Sequence, residues 1–98
     1  MCTYLTEHVE IDGSGKGPTG WFGADRATVY VDHAVHAPYT HTVYIDVINP
    51  ELGPSARVAL ELTEESALAL AEAIRKAIGH APAGLASKNQ WVTHDHRA

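Results

Sequence analysis

Two segments of this chain alternate apolar and polar residues in step with one another, and that matched alternation limits the fold more than any other feature. In 26–33, RATVYVDH, an extended backbone puts Ala27, Val29 and Val31 on one side and Thr28, Tyr30 and Asp32 on the other. In 41–49, HTVYIDVIN, Val43, Ile45 and Val47 oppose Thr42, Tyr44 and Asp46 in the same way. The segment between them holds Pro38, which has no place in a central strand. An antiparallel hairpin with Val31 across from Val43 sets Val29 against Ile45, Ala27 against Val47 and Tyr30 against Tyr44. Slipping the pairing by one residue would set apolar faces against polar ones, so the period of two fixes the register.

The remaining elements are read around this hairpin. Residues 3–11, TYLTEHVEI, place Leu5, Val9 and Ile11 on one face and predict a first strand. Residues 12–20, DGSGKGPTG, combine glycines with Pro18 and predict a loop. Trp21 and Phe22 supply aromatic bulk to close one end of the core. After the turn PELGPS at 50–55, ARVALEL at 56–62 predicts a fourth strand with Val58, Leu60 and Leu62 inward. Thr63 is suited to cap a helix, and Glu64 and Glu65 suit its positive N-terminal end. Leu68, Ala71, Ile74 and Ile78 recur at helical spacing, Arg75 and Lys76 fall near the end, and Gly79 predicts the stop, giving a helix over 64–78.

The order β-β-β-β-α predicts an α+β fold: a four-stranded antiparallel sheet with one helix packed on one face. Residues 1–79 form the single domain and 80–98 a linker and tail, in which QWVTHDHRA supplies an extra edge strand or a swapped arm. The face carrying Tyr4, Thr6, His8, Thr28, Tyr30, Thr42, Tyr44 and Ile48 is too aromatic for a simply solvated surface. It is expected to line a pocket or to meet a second copy in a homodimer.

Charge and composition exclude several classes. The chain has 98 residues and a formal charge of −5, from seven Lys and Arg against twelve Asp and Glu, with no basic stripe of the kind that binds phosphates. Nucleic acid and anionic membrane surfaces are therefore not expected partners. No apolar run is long enough to span a bilayer. The opening MCTYLTEHVEI lacks the basic and apolar blocks of a secretory signal, and Cys2 is the single cysteine, so a cytoplasmic location is expected.

Seven histidines are unusual in so short a chain. His33, His36 and His41 cluster around the hairpin connection, and the register places His33 opposite His41, where Cβ atoms lie about 4.5–5.5 Å apart. Imidazoles at that spacing converge on one ion, with His36 as a third ligand from the loop. An open three-histidine site suits zinc, iron, copper or nickel, and the pattern does not choose among them. The plainer alternative is that these histidines simply end two strands and occupy a surface loop. Cys2 and His8 are too far apart along one strand to share an ion. Cys2 equally suits a small buried filler, His80 a favourable cation at the helix end, and His94 and His96 a solvated terminus.

GSGKGPTG does not match a Walker phosphate loop, because Lys16 is followed by Gly17 and Pro18 and then by a strand rather than a helix. It is expected as a flexible cover over the site, or as an anion nest of glycine amides. If the tyrosine face lines a cavity, His8 with an aspartate would form an acid–base pair; a hydrated face or dimer contact is the plainer expectation. No serine nucleophile elbow, dinucleotide fingerprint or paired-cysteine knuckle is present.

The opening MCTY, the GSGKGPTGWF stretch, the DHAVHAP…HT segment and NPELGPSARVALEL together resemble an uncharacterised family of small actinobacterial proteins. The resemblance covers about residues 1–78. It implies a stand-alone bacterial protein associated with specialised metabolism and brings no catalytic residues with it. Two functions are carried forward. The first is a small metal-binding protein, with His33, His36 and His41 as ligands and metal-dependent catalysis as its extension. The second is a metal-free module that uses the tyrosine face to bind a small molecule or a second copy.

Overall fold

The computed structural model describes residues 5–87 apart from Val35 and Ala37. The expectations for Cys2, Tyr4 and the QWVTHDHRA tail fall outside the described residues. Four strands, β1 (Thr6–Gly17), β2 (Gly20–His33), β3 (His41–Ile48) and β4 (Arg57–Leu62), pair in chain order as one antiparallel sheet. A short 3-10 turn, Pro50–Leu52, joins β3 to β4, and the helix α1 (Glu64–His80) follows. The fold is α+β, and the sheet is open. The chain divides into two compact units, Met1–Ala67 and Leu68–Ala98.

The β2–β3 register is the one the alternation requires: Ala27 pairs with Val47, Val29 with Ile45, Tyr30 with Tyr44, Val31 with Val43 and His33 with His41. β4 continues it, with Val58 against Val47, Leu60 against Ile45 and Leu62 against Val43. β1 adds Val9 against Ala27. One face of the sheet is therefore aliphatic across all four strands. The other carries Thr6 and His8, then Thr28, Tyr30 and Asp32, then Thr42, Tyr44 and Asp46, then Arg57, Ala59 and Glu61.

Two boundaries differ from the sequence expectation. The glycine-rich stretch is not a loop: β1 runs through it to Gly17, Lys16 pairs with Trp21, and only Pro18 and Thr19 form the turn before Gly20 at φ 121°. Ladder bonds use the backbone alone, so glycine can join a sheet when a neighbouring group needs the missing side chain's space. Here a Cβ on Gly15 would lie 3.2 Å from the Phe22 ring, and one on Gly17 would lie 2.9 Å from the Ser55 carbonyl oxygen. A bulge between Glu10 and Gly13 bends this half of β1, and at Gly15 and Gly17 it comes up against the start of β4. The glycine segment is thus a rigid part of the sheet, and its expected role as a cover over the site is not what the fold provides.

The helix also continues through Gly79 to His80. Gly79 does not adopt the left-handed conformation that ends helices, whereas Gly84 does, at φ 76°. Pro82 disfavours helical geometry at the residue before it and sets the end. At the other end, Ser66 N–H donates to the Thr63 hydroxyl at 3.1 Å, the expected cap. Replacing Gly17 with Ala should destabilise the protein by about 1–3 kcal/mol, because the added methyl meets backbone oxygens that cannot swing aside. Urea denaturation of both proteins measures this, and an unchanged midpoint would contradict the close approach of β1 to β4.

Candidate functional site

Few of the described residues are buried, and two of them, Thr42 and Tyr44, lie on the polar-aromatic face. Among the described residues the buried set is Ala24, Thr42, Tyr44 and Ala56. Thr42 and Tyr44 belong to the polar-aromatic face, next to the β2–β3 connection. His36 in that connection reaches β4: its N–H donates to Glu61 Oε1 at 2.9 Å, and its Nδ1 lies 3.3 Å from Glu61 Oε2. Ala34 N–H donates to the Thr40 carbonyl, and the Tyr44 hydroxyl donates to the His33 carbonyl at 2.8 Å. These bonds tie His36 to β4, Ala34 to Thr40 and the end of β2 to Tyr44.

Beneath and beside the connection lies an open concavity of about 740 Å³, lined by Tyr30, Asp32, His33, His36, Tyr44, Arg57, Ala59 and Glu61. Its floor is the Tyr30–Tyr44 pair, whose rings stack with centroids 5.0 Å apart and planes 3° from parallel. Cross-strand register alone brings these two rings together. Polar groups surround them. Arg57 Nη2 donates to Asp46 Oδ1 at 2.9 Å, and the Tyr30 hydroxyl donates to Asp46 Oδ2 at 3.2 Å. Asp32 Oδ1 accepts the His33 N–H at 2.7 Å.

This setting makes Tyr30 a hydrogen-bond donor rather than a nucleophile. Burial raises its phenol above the ordinary value of 10.0, the Asp46 carboxylate adds to the rise by charge and by hydrogen bond, and Arg57 opposes it. A phenol whose pKa is raised by folding favours the native state while it stays protonated. That stability is whole below about pH 10 and is lost as the pH climbs through the raised value.

The structure splits the three histidines. The rings of His33 and His41 lie 4.5 Å apart by centroid, tilted by 32°, as the register predicts. His36 turns instead to Glu61, because a partly buried carboxylate on β4 offers both of its oxygens to the connection. Among the described residues no group of three or more His, Cys, Asp or Glu side chains is arranged to hold a metal ion. His8 stands outside the concavity and meets the Thr28 hydroxyl at 3.3 Å rather than an aspartate, so the expected acid–base pair does not form. Arg57 and Glu61 were not singled out in the sequence. Their signal was positional: both share the tyrosine face once β4 is registered against β3.

A family model described as a family of unknown function (DUF6295) matches residues 1–87. The chain belongs to that family. The match takes in every strand, the connection carrying His36 and all the residues around the concavity. No curated protein and no solved structure matches the chain. No described helix is long and apolar enough to cross a membrane.

Two measurements probe this geometry. The Thr42 side-chain oxygen, in a residue only 2% exposed, has no hydrogen-bond partner among the described residues. Thr42→Val keeps the shape and removes that group, so stability should rise by about 1 kcal/mol, and a clear loss in urea denaturation would show that the hydroxyl is satisfied. Stability followed above pH 10 should fall less steeply in Tyr30→Phe than in the parent protein. Equal slopes would remove Tyr30 as the cause.

Proposed function

We propose that the tyrosine face is a binding site for a small organic cation, an amine carried on a flat or apolar body. The observation that carries this is the composition of the concavity: a stacked tyrosine floor lined also by Asp32 and Glu61, with Arg57, held by Asp46, as the one permanently charged cation among its lining residues. A ring face attracts a cation through its quadrupole, and acidic groups on the rim add to the attraction. Arg57 is engaged by Asp46, and Tyr30 is held protonated as a donor, which supports recognition rather than nucleophilic chemistry. The strap from His36 to Glu61 sets the depth of the site and gives an incoming amine a carboxylate to compete for.

The test is a nuclear magnetic resonance titration with three probes sharing one aromatic body: the amine, its acetylated neutral form and the corresponding carboxylate. The amine should bind at least about tenfold more tightly than the other two, a difference of roughly 1.4 kcal/mol. Tyr44→Ala and Glu61→Gln should each weaken it. Equal affinity for the carboxylate, or shifts confined to another face, would end this assignment.

A second reading keeps a transition metal, and the closeness of the His33 and His41 rings favours it. His33 and His41 would supply two nitrogens, and His36 would join them by leaving Glu61. Zinc, iron, copper or nickel would suit such a set, with Zn–N bonds of about 2.0–2.1 Å. Zinc added at stoichiometric concentration should then perturb all three imidazoles, and His36→Ala should lower the affinity. Failure of the untagged protein to retain or bind any of these metals would remove this alternative and leave the amine site untouched.

A further inference from the structure

We infer, resting on the amine site proposed for the tyrosine face, that its ligand is dipolar: an amine and a carboxylate at opposite ends of one flat body, with Arg57 receiving the carboxylate. The sheet register sets out the charges in order. Arg57 pairs with Ile48, Ala59 with Asp46 and Glu61 with Tyr44, while Asp32 lies one pair further on, against Thr42. Arg57, Ala59 and Glu61 alternate onto one side of β4, and all three line the concavity. The guanidinium therefore stands at one end and the carboxylates of Glu61 and Asp32 at the other. On β4 only the methyl group of Ala59, an exposed residue, lies between them.

Four residues of extended chain separate the Arg57 and Glu61 Cα atoms by about 13 Å. Arg57 closes part of that distance, because the carboxylate it reaches, Asp46, belongs to the Ala59 pair rather than to its own. A single ring with a short arm spans what remains, lying over Ala59 and beside the stacked tyrosines. The ion pair with Asp46 does not close Arg57 to a ligand. Asp46 is the covered partner: its side chain is 14% exposed, and its two oxygens accept from Arg57 and from the Tyr30 hydroxyl. Arg57 is the open one, 50% exposed, and that bond engages one of the five N–H donors of a guanidinium. An anion arriving from solvent thus meets the guanidinium, and a carboxylate matches its planar fork with two parallel bonds. An amine alone leaves the Arg57 end unfilled, and a carboxylate alone leaves the acidic end unmatched.

The test is a nuclear magnetic resonance titration of the whole chain with para-aminoethylbenzoate and with its methyl ester, which keeps the amine and the bulk without the negative charge. The dipolar probe should bind at least about fivefold more tightly than the ester, with backbone shifts at Arg57 and Ala59. In Arg57→Gln that advantage should disappear. Ala59→Leu should weaken both probes at least about tenfold, because its side chain takes the place of the ring. If Ala59→Leu does not fold, Arg57→Gln still decides. Equal affinity of the parent protein for the two probes overturns this inference and leaves the amine site standing. So does an advantage that survives in Arg57→Gln, or undiminished binding of both probes by folded Ala59→Leu. Binding of neither probe removes the amine site and this inference together.

Discussion

The ladder between β2 and β3 is the constraint on which the rest of this structure depends. Its register places Tyr30 on Tyr44, His33 on His41 and the aliphatic row of one strand on that of the next. The other two strands attach to it: β4 extends the aliphatic row on one side, and β1 extends it on the other. Both faces inherit their chemistry from this one alignment. A shift by a single residue would interleave tyrosines with valines and abolish the two faces together.

The polar-aromatic face becomes a site because the connection after β2 is tied to β4. Glu61 accepts from the His36 N–H and meets its ring, and Tyr44 holds the His33 carbonyl. The surface ion pairs contribute little to stability on their own account. Their effect is positional: Asp46 orients both Arg57 and Tyr30, and Glu61 orients the strap. The result is a concavity whose walls come from different strands, although its floor is two residues of one cross-strand pair.

The aliphatic face presents the opposite situation. It was built by the same alternation and reads as a core, yet none of its strand residues is fully buried, and the buried set among the described residues includes Thr42 and Tyr44 of the other face. Alternation reports which side chains share a side, since that follows from the geometry of an extended chain. It does not report what covers that side. Coverage is a property of neighbours.

Sequence alone determined the four strands, the β2–β3 register, the face shared by Tyr30 and Tyr44, the opposition of His33 and His41, and the start of the helix at Thr63. Each follows from local periodicity or from a capping side chain, interactions that span a turn or a single hairpin. Membership of a family of unknown function over residues 1–87 is consistent with the expected resemblance to an uncharacterised family. Tertiary structure decided the rest. Glycines of β1 entered the sheet because Phe22 and the Ser55 carbonyl require their missing side chains. His36 left the histidine cluster because Glu61, distant in sequence, stands opposite it across the face. Those outcomes turn on contacts between residues far apart in the chain, and no local pattern carries them.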